Sequence, residues 1–161
     1  MNSFTFFVLA RAIHVVSVVI WIGGVAFVTL VLLPSLKKIE DSKTRLELFE
    51  KLEGKFAFYA RLFTLLTGLS GFYMLEYLHA WNRYLDGHFW WLHLMTFIWV
   101  IFSLVLYVLE PLFLHRWFHE RAEKNSQKAF NLVTIFHIIL LSISLLAVFS
   151  AVAGAHGLSF F

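Results

Sequence analysis

Four long apolar stretches, separated by polar segments, dominate the pattern of hydrophobic and polar positions along the chain. A helix needs about 20 apolar residues to cross a hydrocarbon core ~30 Å thick, because each residue adds about 1.5 Å. Each stretch is long enough for one crossing, and none shows the short alternating segments of a membrane barrel. The pattern therefore predicts an all-α, integral membrane four-helix bundle that forms a single domain over residues 1–161. The predicted helices cover residues 4–33, 56–78, 89–114 and 129–155.

The polar segment between the first two stretches carries a further helical pattern. Four apolar residues recur there at helical spacing among charged residues: Leu46, Phe49, Leu52 and Phe56. An apolar stripe of this kind is typical of a helix that lies on the membrane surface. We expect a separate interfacial helix, with Ser42 as its N-cap and a break at Gly54.

The composition supports a membrane protein. Hydrophobic residues make up 60% of the chain and charged residues 14%, whereas soluble domains are about a quarter charged. This excludes a water-soluble globular domain, and the high hydrophobicity also excludes disorder. The chain has no Cys, which excludes disulfides, iron–sulfur clusters and covalently attached c-type haem.

Positive charge predicts the orientation of the helices. Of the 13 Lys and Arg residues, all but Arg11 and Arg83 lie in the two segments 34–61 and 115–128. Cytoplasmic segments are enriched in Lys and Arg, so we expect both segments on the cytoplasmic side and both termini outside. The helices then run up-down-up-down through the lipid bilayer, which we expect to be the bacterial inner membrane. The net charge of +3 thus reflects topology and gives no reason to expect a nucleic-acid partner.

Three of the eight histidines lie well inside the predicted spans, namely His14, His93 and His137. Ionisable residues inside a bilayer are costly and usually serve a cofactor, a relay or a pathway. Counted from the helix midpoints, His14 and His93 both lie about 10–12 Å toward the outside. His137 lies some 15–20 Å lower, on the cytoplasmic side. We therefore expect His14 and His93 to share one metal or haem iron, which His137 does not reach.

Haem b is the cofactor that this arrangement favours. Two imidazoles on facing helices of a bundle can hold haem iron without covalent attachment. Trp21 would line the macrocycle, and Arg11, one turn above His14, would either pair with a propionate or extend to the membrane surface. Copper at His14 and His93 is the alternative, and it would need further ligands from the outer side.

His137 has three interpretations that the sequence leaves open. It is a ligand to a second, inner haem, a proton-relay residue, or an interior histidine that is satisfied by a hydrogen bond. Tyr107 and Glu110 lie at a similar depth and could be its partners.

The run Arg11-Ala-Ile-His14, followed by Trp21-Ile-Gly-Gly24, resembles the first helix of two related families of small membrane proteins. One family is the HemJ-type protoporphyrinogen oxidases, which are four-helix proteins that bind haem b. The other is the CopD-like copper-resistance family. The resemblance implies that His14 is a haem ligand, that Trp21 lines the haem pocket, and that the protein has oxidoreductase activity. The CopD-like alternative implies copper transport or tolerance.

Two departures from the HemJ-type pattern concern the enzymatic activity. There is no Lys or Arg between His88 and His115, where the family has a lysine, and the fourth helix lacks the family's Asn-Glu-x-Pro element. We therefore expect a haem b protein with a redox role, whether electron transfer or an oxidase-like reaction. A quinone or a periplasmic redox protein would be its partner, and a homodimer would help four short helices to enclose so large a cofactor.

Overall fold

The computed structural model describes residues 2–158, without the side chains of His115 and Glu123. All regular secondary structure in this range is helical, which confirms the all-α prediction for the described residues. The α-helices are α1 Ser3–Phe27, α2 Leu33–Leu36, α3 Ser42–Tyr77, α4 Trp90–Leu104 and α5 His115–Ala155. Two π-helical segments, which we call the first and second π segments, join α1 to α2 and α4 to α5: Val28–Leu32 and Val105–Leu114. Two short 3₁₀ turns, Trp81–Leu85 and Gly87–Phe89, connect α3 to α4.

Three helical stretches are long and apolar enough to cross a membrane. They are Ser3–Leu36, Gly87–Leu114 and Lys124–Ala155. The predicted second span, residues 56–78, corresponds to the second part of α3. This part is less apolar than the other three spans because it contains Arg61, Thr64 and Thr67. The structure thus bears out a helical membrane protein with three candidate spans.

The helix α3 is continuous from the polar segment into the predicted second span. The expected break at Gly54 is wrong, because Gly54 lies inside the helix. A Cβ atom added at Gly54 would meet no other atom within 4 Å, so packing does not require glycine there. Asp41, and not Ser42, caps the helix, because its carboxylate accepts the backbone N–H of Thr44 at 2.8 Å. The helix predicted around Phe49 is confirmed. Its predicted place on a membrane surface is wrong for Phe49, which is buried in the protein.

The helices α1 and α3 pack antiparallel along most of their length. Contacts pair the start of α1 with the end of α3, and the end of α1 with the middle of α3. Phe7 stacks on Tyr77 with 4.7 Å between ring centroids, and further inward the ring of Phe56 lies against the backbone at Gly24. A side chain at Gly24 would overlap that ring, so the close approach of the two helices depends on glycine.

The helix α4 packs on α3 and α5 through two further pairs of glycine and tryptophan. The indole of Trp99 occupies the space at Gly68, and its Nε1–H donates to the carbonyl of Thr64 at 2.9 Å. Near the other end, Trp91 occupies the space at Gly154 of α5. Small residues in these helices therefore make room for aromatic side chains of the same chain.

Arg61 stabilises the second π segment from α3. In a π-helix each N–H pairs with the carbonyl five residues earlier, so Pro111, which lacks an N–H, leaves the carbonyl of Leu106 without its helical partner. The Nε–H of Arg61 donates to this carbonyl at 2.9 Å, and its Nη2 forms an ion pair with Glu110. The hydroxyl of Tyr107 donates to the backbone carbonyl of Arg61 at 2.6 Å. Arg61 thus satisfies a backbone acceptor that the proline left unpaired.

A kink at Asn125 divides α5 into two parts. Its backbone is not helical there (φ −156°, ψ 87°), and its side chain accepts the N–H of Lys128 at 3.0 Å, as an N-cap does. The part before the kink packs Phe118 against Phe49 of α3, and the part after it adds Phe130, which is fully buried. The helices on this side of the bundle therefore close around an aromatic cluster.

Candidate functional site: two oriented histidines and an inner cavity

His14 is held by α3 through one of its ring nitrogens. Its Nδ1 lies 2.9 Å from the carbonyl oxygen of Thr67 and 3.2 Å from Oγ of Ser70. A carbonyl only accepts, so Nδ1 carries the proton, and in a neutral imidazole Nε2 then keeps its lone pair. Metal-ligating histidines typically show this arrangement, in which a backbone carbonyl fixes the tautomer and the ring orientation. Gly71 lies beside the ring, where a side chain would come within 3.3 Å of Cε1.

His93 has a different environment. Its Nδ1 lies 3.1 Å from the carbonyl oxygen of Phe89, and its Nε2 lies 3.0 Å from that of Tyr84. Both ring nitrogens are therefore directed at protein acceptors, and neither presents a lone pair to a metal. The hydrogen-bond partners of His14 and His93 are different residues. The expected pairing of these two imidazoles on one iron has no support in this geometry.

Aromatic side chains occupy the places where glycines bring α1, α3 and α4 close together. Phe56 lies against Gly24 and Trp99 against Gly68, and Trp99 is fixed by its hydrogen bond to Thr64. These two side chains occupy the space beside Gly24 and Gly68. Arg11 is exposed on α1, one turn from His14.

His137 lies at a different level of the protein from His14. Its backbone carbonyl accepts the hydroxyl of Thr29 at 3.5 Å. Thr29 is 15 residues from His14 along a continuous helical stretch, which corresponds to about 22 Å. The Nδ1–H of His137 donates to the carbonyl of Val133 at 2.9 Å, so a neutral ring again keeps the Nε2 lone pair.

His137 lines a cavity of about 320 Å³ between α1, α3, α5 and the second π segment. Ligand sites in proteins are typically apolar cavities of at least this size with a few polar groups. Most of the wall is aromatic or aliphatic, including Phe102, Phe49 and Phe136. Trp21 also lines it, so two residues that the sequence singled out meet at one cavity.

Trp21 presents a hydrogen-bond donor without an acceptor. Its side chain is 4% exposed, and its buried Nε1–H has no hydrogen-bond partner among the described residues. The ring is held by an edge-on contact with Phe102, at 4.8 Å between centroids. A buried indole N–H usually finds a partner, because leaving it unpaired costs about 1–3 kcal/mol. Trp21 therefore contributes a donor that is buried and lacks an acceptor among the described residues.

The charged residues of the cavity are acidic. Glu53 and Glu110 line it, whereas no Lys or Arg side chain is among the described residues that do so. Glu110 is paired with Arg61, which approaches it from α3. Since Arg61 compensates the charge of Glu110, this carboxylate does not by itself give the cavity a negative charge.

Copper finds no ready-made ligand group in the part of the chain that the structure describes. No three His, Asp, Glu or Cys side chains there are close enough together to hold one metal ion. Of the outer histidines, His88 is hydrogen-bonded to Asp86 and His156 to the carbonyl of Val152.

The sequence did not single out Arg61 or Glu53 as site residues. Arg61 had been counted only as a cytoplasmic positive charge, although its place within an apolar stretch is itself a signal of a specific partner. Glu53 lies in the segment for which the sequence predicts an interfacial helix, and the packing of α3 brings it to the cavity.

Comparisons with known proteins assign no family. No family model matches the chain, and no curated protein and no solved structure shows significant similarity to it. The resemblance in the first helix therefore remains an expectation from the sequence.

Proposed function

We propose that this chain is a multi-pass protein of the bacterial inner membrane that binds haem b and has a redox role. In this proposal α3 is the fourth membrane crossing. Its antiparallel contacts with α1 reach from Phe7 to Gly24 of the first span, which corresponds to about 26 Å. Four crossings and the concentration of Lys and Arg on one side then place both termini outside.

The observation that carries the haem proposal is the orientation of His14. Its Nδ1–H is fixed by the carbonyl of Thr67, which leaves Nε2 as a ligand inside the predicted span. Exposed Arg11 lies on the same face and is suited to pair with a propionate. When bound, haem supplies one-electron redox chemistry, and the chain's part is to hold it and to fix the imidazole.

A second copy of the chain supplies the rest of the proposed haem site. Within one copy, His93 has both nitrogens occupied, and Phe56 and Trp99 fill the space toward α4. A two-fold symmetric pair presents the same surface from each copy, so it would bring two copies of His14 to one haem. The proposal therefore specifies one haem for two chains.

An absorption spectrum of the purified protein tests this proposal. Protein from haem-replete cells should show a Soret band and a sharp reduced α-band, with about one haem per two chains. His14→Ala should lose both bands, whereas the matched control His93→Ala should keep them because His93 holds no iron in this account. A haem-free preparation, or full haem content in His14→Ala, contradicts the proposal.

Metal analysis of the same preparation covers the copper alternative. Stoichiometric copper without haem would assign the protein to copper transport or tolerance and would overturn the haem proposal. Since no ligand group for copper is formed by the described residues, we expect haem iron and only trace copper.

A further inference from the structure

Arg45 is a buried, charged side chain without an acidic partner. It lies in the first turn of α3 and is only 7% exposed. No Asp or Glu in the described part of the chain forms an ion pair with it. Its contacts are neutral: Cζ lies 5.3 Å from the ring centroid of Phe130, and Nη1 donates to Oε1 of Gln127 at 3.3 Å. A buried positive charge normally has an anionic partner, because its removal from water is costly.

The guanidinium of Arg45 keeps one donor group for a partner from outside the protein. Its Nε is fully buried and has no hydrogen-bond partner, so a ligand does not reach this atom. Nη2 also makes no hydrogen bond to a described residue, but it is not one of the buried atoms. The N–H groups of Nη2 are therefore accessible, and an oxygen atom of a bound anion can accept from them.

The part of α5 that follows the kink begins beside this guanidinium. Asn125 caps it, so Gln127, the partner of Arg45, lies in its first turn. The first turn of a helix carries partial positive charge on its unpaired N–H groups, and this charge repels a guanidinium. An anion bound here would be attracted by both groups. The exposed side chains of Lys124 and Lys128 flank the kink and add to the positive potential.

The surroundings of Arg45 place it where two candidate membrane spans end. Phe130, which contacts the guanidinium, belongs to the same buried cluster as Leu36. Leu36 ends the candidate span Ser3–Leu36, and Phe130 lies near the start of the span Lys124–Ala155. These spans have 34 and 32 residues, about 51 and 48 Å of helix, so their ends extend beyond a hydrocarbon core ~30 Å thick. Such ends lie at the depth of the lipid headgroups, where phosphate is the common anion.

We propose that Arg45 binds the phosphate group of an anionic phospholipid through the N–H groups of Nη2, beside the start of the second part of α5. A free phosphate ion has the same chemistry, but the depth of Arg45 favours a lipid headgroup. In the proposed topology this lipid belongs to the cytoplasmic leaflet. The inference rests on the membrane crossings of the proposed function and not on its haem, since Leu36 is 22 residues, or about 33 Å of helix, from His14.

Native mass spectrometry of the full chain in a neutral detergent tests the inference. Phosphatidylglycerol, whose phosphate has no compensating positive charge, should bind to the wild type. Diacylglycerol with the same acyl chains has no phosphate and should bind at least about tenfold more weakly. Inorganic phosphate should not displace phosphatidylglycerol. Equal binding of the two lipids, or displacement by inorganic phosphate, overturns the assignment to a lipid headgroup.

Substitution of Arg45 tests whether this residue carries the binding. Arg45→Met keeps an apolar side chain against Phe130 and should weaken phosphatidylglycerol binding about tenfold, the equivalent of one charge-assisted hydrogen bond. Arg116→Met is the matched control, because this side chain is 86% exposed and is paired with Glu120. The affinity of this control should stay within about twofold of the wild type. Equal losses in both variants would show a response to net charge alone and would overturn the role of Arg45.

Gln127→Ala separates lipid binding from a purely structural role of Arg45. It removes the acceptor of Nη1 and leaves the guanidinium in place, so a second donor group becomes free for the phosphate. Phosphatidylglycerol should bind to this variant at least as tightly as to the wild type. If Arg45 served only to hold α3 against α5, Gln127→Ala would lose lipid binding as Arg45→Met does. That result overturns the inference.

The same titration in His14→Ala keeps this inference apart from the haem proposal. A preference for phosphatidylglycerol in this variant, or in a wild-type protein without haem, supports the lipid site independently of the cofactor. Haem in a wild-type protein that binds both lipids equally would leave the proposed function standing and overturn only the inference.

Discussion

His14 and His137 share one feature that decides how an intramembrane imidazole can act. Each donates its Nδ1–H to a backbone carbonyl at 2.9 Å, of Thr67 and Val133 respectively, and so keeps Nε2 for another partner. His93 lacks this feature because both of its nitrogens face carbonyl oxygens. The depth of each histidine could be predicted by counting residues along a helix. The partner of His14 could not be predicted, because Thr67 belongs to another helix, whereas the partner of His137, Val133, lies one turn earlier on the same helix.

The pairing of Gly68 with Trp99 gives a test at the scale of one methyl group. Gly68→Ala should destabilise the protein by about 1–3 kcal/mol, because the new Cβ overlaps an indole that cannot move without losing its bond to Thr64. Gly54→Ala, in the same helix, meets no neighbour and should be neutral or stabilising, since Ala favours helix over Gly. Thermal unfolding in detergent, followed by circular dichroism, measures both. Similar midpoints for the two variants would contradict the packing described.

At the scale of elements, the length of the apolar stretches predicted the long helices, but it did not predict where those helices are irregular. The π-helical turns, the uninterrupted course of α3 past Gly54 and the kink at Asn125 depend on contacts between helices. Pro111 illustrates this. Its missing N–H is visible in the sequence, but the donor that compensates for it, Arg61, lies 50 residues away on α3.

Arg61 and Pro111 should therefore be coupled. Arg61→Lys keeps a positive charge for Glu110 but loses the Nε–H bond to Leu106, and we expect it to cost about 1 kcal/mol. In a Pro111→Ala background the cost should shrink, because residue 111 then has an N–H of its own to offer the helix. A double-mutant cycle of unfolding free energies measures this coupling. Purely additive effects would show that the proline does not create the need for Arg61.

The start of α3 should respond to pH through Asp41. Hydrogen bonds from the side chain and then the backbone N–H of Thr44 lower the pKa of Asp41 below its ordinary value of about 3.9. A lowered pKa means that the cap stabilises the helix above that value and is lost as the pH falls through the lowered pKa. Hydrogen exchange of the Thr44 amide, corrected for intrinsic rates, should lose protection over this range.

Asp41→Asn is the control for this prediction. Asn also caps helices through a side-chain oxygen, but it does not titrate. The Thr44 amide should then keep the same protection across the acidic range. The same loss of protection in Asp41→Asn as in the wild type would mean that another group is responsible.

At the scale of the whole molecule, hydropathy and composition predicted an all-helical membrane protein, and the structure bears this out with three candidate spans. The sequence also pointed to Trp21 and His137, but it assigned them to separate sites. Their meeting at one cavity depends on how α1, α5 and the second π segment pack, which residue counting along single helices does not reveal. The contacts of Phe56 with Gly24 and of Trp99 with Gly68 could not be predicted for the same reason.

The central claim is that His14 holds haem b. The reduced-minus-oxidised absorption spectrum of the purified protein, recorded for the wild type and for His14→Ala at equal protein concentration, tests it most directly. The account predicts a Soret change and a sharp α-band in the wild type and neither in His14→Ala, with His93→Ala like the wild type. A wild-type spectrum without haem, or one that His14→Ala leaves unchanged, would contradict it.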